Sequence, residues 1–69
     1  MNKNLLRSKL ALAGDTYESL ADFLGLAKNT VTRKINESHG AEFTQSEISM
    51  MKERYSLTDA EVIDIFFTR

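Results

Sequence analysis

Apolar residues recur along most of this chain at intervals of three and four, which is the spacing of one face of an α-helix. Leu6, Leu10 and Ala13 form one such stripe near the start of the chain. No stretch alternates apolar and polar residues as a half-buried strand does, and the β-branched residues are scattered. The pattern therefore predicts an all-α fold, a compact five-helix domain that covers residues 1–69.

Glycines and capping residues predict the boundaries of the first three helices. These helices cover about Asn2–Ala13, Tyr17–Leu24 and Lys28–Asn36. Gly14 and Gly25 follow the first two helices, where glycine adopts a left-handed cap or turn at little cost. Thr16 is the expected N-cap of the second helix, although Asp15 with Glu18 also fits a capping box.

The fourth and fifth helices begin with one repeated device, after a predicted loop over residues 37–43. Thr44 with Glu47 fits a capping box, and so does Thr58 with Glu61. Each box is flanked by an apolar pair at the spacing of a hydrophobic staple. These pairs are Phe43 with Ile48, and Leu57 with Val62. Because both signals occur twice, they define where the last two helices start.

The apolar residues divide into an expected core and a remainder. Those expected to point inward are Leu20, Ala21, Phe23, Leu24, Val31, Ile35, Val62, Ile65 and Phe66. Ile63 and Phe67 form a second apolar face of the fifth helix, which a single small core does not fully cover. The alternative is that these two residues close the core against the first helix.

Composition excludes several classes of protein. A chain with 42% hydrophobic and 28% charged residues suits one small globular domain. Without cysteine and with a single histidine, we expect no disulfide and no metal site. The absence of a long apolar run or a signal-peptide core predicts a cytoplasmic protein without a membrane partner. We expect no enzyme, no cofactor and no small-molecule substrate, because no phosphate-binding loop or nucleophile–base constellation is present.

Charge is distributed unevenly along the chain. The formal net charge is −1. Residues 1–34 carry six basic and three acidic side chains, a net charge of +3, whereas residues 35–69 carry three and seven, a net charge of −4. Such asymmetry gives one surface a positive field while the whole chain stays near neutral, although ordinary scatter of surface charges also produces it.

The most specific pattern lies between Thr16 and Ile35. A short helix, a glycine turn and a second short helix follow one another there. Ala21 is small where the two helices would cross closely, and Gly25 follows it by four residues. The exposed face of the second of these helices is rich in side chains that hydrogen-bond base edges. This layout is typical of a helix-turn-helix, which places its second helix in the DNA major groove.

The scaffold positions of this segment resemble those of a known family. Ala21, Gly25, Leu26 and Val31 match the small, glycine and apolar positions of the helix-turn-helix in phage Cro and CI-type repressors. The resemblance implies that family's five-helix domain and two sets of DNA contacts. The base-contacting set is Lys28, Asn29, Thr32 and Arg33. The resemblance gives Thr16, Tyr17 and Ser19 as phosphate contacts at the start of the second helix, and Lys34 and Asn36 complete the expected phosphate-contacting set.

Several of these residues have a structural alternative. The polar residues at the start of the third helix also suit a solvated helix face, and Lys34 suits either a phosphate contact or solvent. The Tyr17 ring also suits packing against the first helix. His39 is expected to be a solvated loop residue, although a protonated imidazole there would suit a phosphate.

The chain also departs from the family pattern. Leu10 and Ile35 stand where many members pair a buried arginine with a glutamate, a replacement that is tolerated when both partners change together. Ala27 stands where a serine or threonine cap is frequent, which weakens the start of the third helix by about 1 kcal/mol. The loop after this helix is poor in basic residues, so we expect few phosphate contacts from one copy.

The expected function is that of a sequence-specific DNA-binding transcriptional regulator, a Cro-like repressor. It would act as a homodimer on a pseudo-palindromic operator, with half-sites about 34 Å apart. We expect the dimer contact at Thr58, Ile63 and Phe67. The alternative is a protein-interaction module, an antirepressor or modulator, that uses the same fold to bind a protein partner.

Overall fold

Five α-helices joined by short turns make up the computed structural model, which describes residues 1–67. The helices are α1 (Lys3–Ala13), α2 (Tyr17–Leu24), α3 (Lys28–Asn36), α4 (Gln45–Arg54) and α5 (Asp59–Phe66). One turn of 3-10 helix, Ser38–Gly40, lies in the loop between α3 and α4. No strand occurs in the described residues. The predicted five-helix, all-α fold is confirmed, and none of the described helices is long and apolar enough to cross a membrane.

Capping residues start four of the five helices. Both predicted boxes at Thr44 and Thr58 are present, each with its glutamate bonded back to the threonine N–H. Thr16 is the N-cap of α2, but its box partner is Ser19 rather than an acidic residue. The Thr16 hydroxyl accepts a hydrogen bond from the Ser19 N–H at 3.1 Å, and the Ser19 hydroxyl accepts one from the Thr16 N–H at 2.8 Å. The alternative box of Asp15 with Glu18 is therefore not formed.

The turn between α2 and α3 depends on Gly25. This glycine has a φ of 73°, in the left-handed region that other residues enter only with strain. The N–H of Leu26 then donates to the Ala21 carbonyl at 2.9 Å, which closes the end of α2. Ala21 is 1% exposed. The short turn and this small buried side chain let α3 pack directly across α2.

The core draws at least one buried side chain from every helix. The buried residues are Leu6, Leu10, Leu20, Ala21, Val31, Ile35, Phe43, Met51, Leu57 and Ile65. Phe43 and Phe66 add an edge-to-face contact with 6.1 Å between ring centroids. Leu10 and Ile35, the apolar replacements for an ion pair, both belong to this core. Most of the predicted inward positions are thus confirmed, with Leu24, Val62 and Phe66 half-buried at its edge.

Two apolar expectations and one alternative were wrong. Phe23 is 37% exposed and does not belong to the buried core. Its ring instead lies against the Arg54 guanidinium, whose central carbon is 4.5 Å from the ring centroid. Ala13 is exposed at the end of α1. Ile63 and Phe67 are 57% and 63% exposed, which agrees with the expected second apolar face, and the alternative that they close the core against α1 is wrong. Both lie two positions from the fully buried Ile65, about 200° away around the helix, and therefore face outward.

Candidate nucleic-acid interface

The exposed side of α3 carries most of the predicted base-contacting set. Val31 and Ile35 are 0% and 1% exposed and attach the opposite side of the helix to the core. Lys28, Asn29 and Arg33 are exposed, and their side chains form no hydrogen bond or ion pair with residues 1–67. Their donor and acceptor groups are therefore available to a ligand that approaches this side.

Thr32 differs from the other three residues of that set. It is half-buried, and its hydroxyl donates to the Lys28 carbonyl at 3.0 Å. The hydroxyl hydrogen is therefore already used inside the helix. What Thr32 offers to a ligand is a hydroxyl lone pair and a methyl group, which suit an amino group or an apolar contact.

The N-terminus of α3 lacks a side-chain cap. Its N-cap is Ala27, which has the extended backbone usual at this position but supplies no side-chain hydrogen bond. Asn2, Thr16, Thr44 and Thr58 cap the other four helices with side-chain oxygens. The first amides of α3 therefore have no side-chain acceptor in the described part of the chain, as the sequence predicted.

A shallow groove joins α3 to α1 and α2. Arg7, Thr16, Tyr17, Glu18 and Lys28 line it. The structure thus brings together two predicted phosphate-contacting residues and one predicted base-contacting residue. The Tyr17 side chain is half-buried and packs against the core.

Arg7 was missed by the sequence analysis. It is an exposed residue of α1 and has no ion-pair partner among the described residues. The sequence did place Arg7 on the polar side of α1, because it directly follows Leu6 of the apolar stripe, and this could have marked it as an exposed cation. That signal becomes informative only once the position of α1 beside α2 is known.

A second groove lies at the other end of α3. Thr30, Arg33, Lys34, Ser38, His39 and Ala41 line it. His39 is exposed and has a φ of 54°, in the left-handed region. Asn36, the last residue of α3, is exposed as well. Exposed polar groups therefore flank α3 at both ends.

Two of the predicted phosphate-contacting residues already donate hydrogen bonds to carboxylates. The Lys34 ammonium donates to Glu47 Oε1 at 2.7 Å and lies 5.9 Å from the Phe43 ring centroid, and its side chain is only 15% exposed. The Ser19 hydroxyl donates to Asp15 Oδ1 at 3.1 Å in addition to its role in the capping box. A phosphate contact by either residue would require these bonds to be shared or broken.

The Asp15 carboxylate accepts hydrogen bonds from the side chains of Arg54, Tyr55 and Ser19. Arg54 donates to both of its oxygens, from Nε at 2.7 Å and Nη2 at 2.8 Å, and the Tyr55 hydroxyl donates at 2.7 Å. The Arg54 hydrogen bonds hold the pKa of Asp15 well below its usual range, against the opposing effect of burial. Burial and the bond to Asp15 raise the pKa of Tyr55 above its usual range. The network joins the turn before α2 to the end of α4.

Of the predicted dimer residues, Ile63 lies within α5, and Thr58 and Phe67 are the residues that cap its two ends. Ile63 and Phe67 present exposed apolar surface, and the Thr58 hydroxyl caps α5 by accepting from the Glu61 N–H at 3.1 Å. Within residues 1–67 there is no group of three His, Cys, Asp or Glu side chains suited to a metal ion.

Comparison with protein-family models, with curated proteins and with solved structures gave no match to this chain. The resemblance to Cro and CI-type repressors rests on Ala21, Gly25, Leu26 and Val31 of the sequence.

Proposed function

We propose that this protein is a sequence-specific DNA-binding regulator that reads the major groove with the exposed side of α3. One observation carries the proposal: Lys28, Asn29 and Arg33 share the solvent side of a short helix, and their side chains have no hydrogen-bond or ion-pair partner among residues 1–67. An α-helix fits the major groove, where each base pair presents a distinct set of donors and acceptors. Solvent-exposed helix faces often carry Glu–Lys pairs at a spacing of three or four residues, and the exposed face of α3 has no such pair.

Each of these side chains has a matching base edge. Arg33 suits guanine O6 and N7 in a bidentate contact, and Lys28 suits the same acceptors. Asn29 suits the paired contact to adenine N6 and N7. Thr32, whose hydroxyl hydrogen is bonded to the helix, suits an amino group or the thymine methyl.

The grooves at both ends of α3 supply a limited set of phosphate contacts. Arg7, Thr16 and Tyr17 lie beside Lys28 at one end, and Arg33 lies beside His39 at the other. Because phosphate contacts position a protein without reading sequence, Arg7 would contribute affinity but not specificity. With so few free cations, one copy binds weakly, and affinity falls only gradually with salt.

A second copy would double these contacts. We infer a homodimer on a pseudo-palindromic operator, with Ile63 and Phe67 in the contact between copies because they are the large exposed apolar side chains of α5. Sedimentation of the protein with and without operator duplex should show two copies per duplex. A strict monomer on DNA would exclude the palindromic arrangement.

The test of the reading face is selection followed by substitution. Duplexes that the wild-type chain enriches from a random-sequence pool define the operator. Arg33→Ala and Asn29→Ala should each relax the preference at one base pair, with a loss of about 1–3 kcal/mol on the preferred duplex. Lys52→Ala is the matched control, since Lys52 is a cation of α4 that is already paired with Asp59. Unchanged selectivity in both α3 variants would show that the assigned face is wrong.

A protein-interaction module is the second candidate. The exposed Ile63 and Phe67 lie on a helix that also carries Asp59 and Asp64, and such an apolar patch with an acidic rim suits a basic protein partner. Enrichment of no duplex by the wild-type chain would favour this candidate over DNA binding.

A further inference from the structure

Both ends of α4 form ion pairs with the α2–α3 region. Glu47 lies in the first turn of α4 and Arg54 is its last residue, so the two charges are separated by most of a ten-residue helix, about 15 Å long. Glu47 holds Lys34 of α3, and Arg54 holds Asp15 in the turn before α2. Neither ion pair includes a residue of the exposed α3 face.

The first pair ties the last turn of α3 to the start of α4. One oxygen of Glu47 accepts from Lys34 Nζ at 2.7 Å and from the Thr44 N–H at 2.9 Å, so the carboxylate that caps α4 also holds α3. The two side chains are 15% and 12% exposed. Burial raises the pKa of Glu47, but the bonds from Lys34 and Thr44 outweigh it and the net shift is downward. Lys34 lies between Arg33 on the exposed face and the buried Ile35.

The second pair ties the start of α2 to the end of α4. Arg54 forms a bidentate contact with Asp15, whose side chain is 8% exposed, and the Tyr55 hydroxyl donates to the same carboxylate. Asp15 in turn accepts from Ser19, which completes the capping box of α2. Bidentate arginine–carboxylate pairs are directional, so this contact restrains the angle at which α2 begins.

We propose that α4 acts as a brace that sets the orientation of α2 and α3 through the pairs Glu47–Lys34 and Arg54–Asp15, and that specific DNA affinity depends on both pairs. The proposal rests on the proposed function. It makes Lys34 a positioning residue rather than a phosphate contact. The two roles predict opposite effects of removing Glu47. Loss of a positioning bond weakens DNA binding, whereas release of a free ammonium strengthens it.

The chain contains a matched control for Glu47. Glu61 occupies the same position of the α5 capping box, accepts from the Thr58 N–H at 2.9 Å, and forms an ion pair with Lys9 of α1. Glu47→Gln and Glu61→Gln therefore each keep a residue that fits a capping box and each remove one lysine partner. Only the first of these two lysines belongs to α3.

The experiment compares the two variants on one duplex, the one that wild-type protein enriches most from a random-sequence pool. Both are measured well below their melting temperatures. Glu47→Gln should weaken binding by a factor of about 3–30 without a change in the salt slope, and Glu61→Gln should bind like wild type. Asp15→Asn should weaken binding in the same range. Tighter binding by Glu47→Gln with a steeper salt slope, or equal effects of Glu47→Gln and Glu61→Gln, would overturn the proposal.

Amide hydrogen exchange tests the brace without DNA. Glu47→Gln should accelerate exchange of the α3 amides from Val31 to Ile35, and Glu61→Gln should leave them unchanged. If wild-type protein enriches no duplex, the proposed function fails and the dependence of DNA affinity fails with it. The exchange result still decides whether α4 orients α3. Unchanged α3 exchange in Glu47→Gln would reject that part as well.

Discussion

The cations of the first three helices and those of the last two are used differently. In α4 and α5, Lys52 and Arg54 are each paired with a carboxylate. In α1 to α3 the cations divide into two groups. Lys9 and Lys34 are paired with glutamates of the second half. Those without an ion-pair partner among residues 1–67 are Lys3, Arg7, Lys28 and Arg33.

The carboxylates show the opposite bias. In the described residues after α3, Glu42, Glu53 and Asp64 are exposed and form no ion pair. Among residues 1–36, only the carboxylates of Glu18 and Asp22 are exposed and form no ion pair. Among the described residues, the unpaired charges up to the end of α3 are thus four cations and two carboxylates, and those after it are three carboxylates, although the formal net charge of the chain is only −1. A polyanion responds to the unpaired charges near it, so net charge alone is a poor guide to its binding.

Removal of the unpaired cations is the most direct test of the difference between paired and unpaired cations. Arg7→Gln, Lys28→Gln and Arg33→Gln together should weaken binding to any duplex about a hundredfold at near-physiological salt, because up to three released counterions are lost. The salt slope should become shallower by about 2.7. Titration of a duplex at several salt concentrations measures both quantities. Lys52→Gln, which removes a paired cation, should leave the slope unchanged. If Lys52→Gln changed the salt slope as much per removed charge as the triple variant does, paired and unpaired cations would not differ in their use.

The contribution of the paired charges is tested by the pH dependence of stability, with the Arg54–Asp15 ion pair as the example. Asp15→Asn should lower the free energy of unfolding by about 1.5–3 kcal/mol at neutral pH, since it weakens charge-assisted bonds to Arg54 and Tyr55. The folded pKa of Asp15 is lowered, so its stabilisation is present above the unfolded value of about 3.9 and is lost as pH falls through the folded pKa.

Urea unfolding at a series of pH values measures this dependence. The difference between wild type and Asp15→Asn should shrink in acid. Asp59→Asn is the control, because the Asp59 side chain is 88% exposed and its pair with Lys52 contributes little. A difference between wild type and Asp15→Asn that stays constant down to strong acid would show that the carboxylate charge is not what stabilises the turn.

The smallest expected effect concerns the uncapped start of α3. Ala27→Ser should raise the free energy of unfolding by about 1 kcal/mol, because the N-cap backbone is already extended and lacks only a side-chain acceptor. Ala60→Ser is the control. Ala60 is exposed within α5, where serine is a slightly poorer helix former than alanine. Denaturant titration of the two variants should give opposite signs, and equal signs would show that α3 does not need a cap.

Local signals in the sequence predicted the elements well and the surfaces less well. The boxes at Thr44 and Thr58 were correct because a capping box depends on residues three positions apart. Phe23 was placed in the core because helical spacing alone does not say which neighbour covers a ring. Lys34 was expected to contact phosphate, and its partner Glu47 lies 13 residues away, a contact that spacing within one helix does not describe.

The sequence by itself determined the five helices, their caps and the apolar side of each helix, because these features depend on residues within about one helical turn of one another. Only the tertiary structure decided which charges are paired. The partners are separated by 13 residues for Lys34 and Glu47, 39 for Arg54 and Asp15, and 52 for Lys9 and Glu61. An ion pair requires two charged groups within about 4 Å, and packing of the helices alone sets that distance. The cations left unpaired by this packing are those available to a ligand.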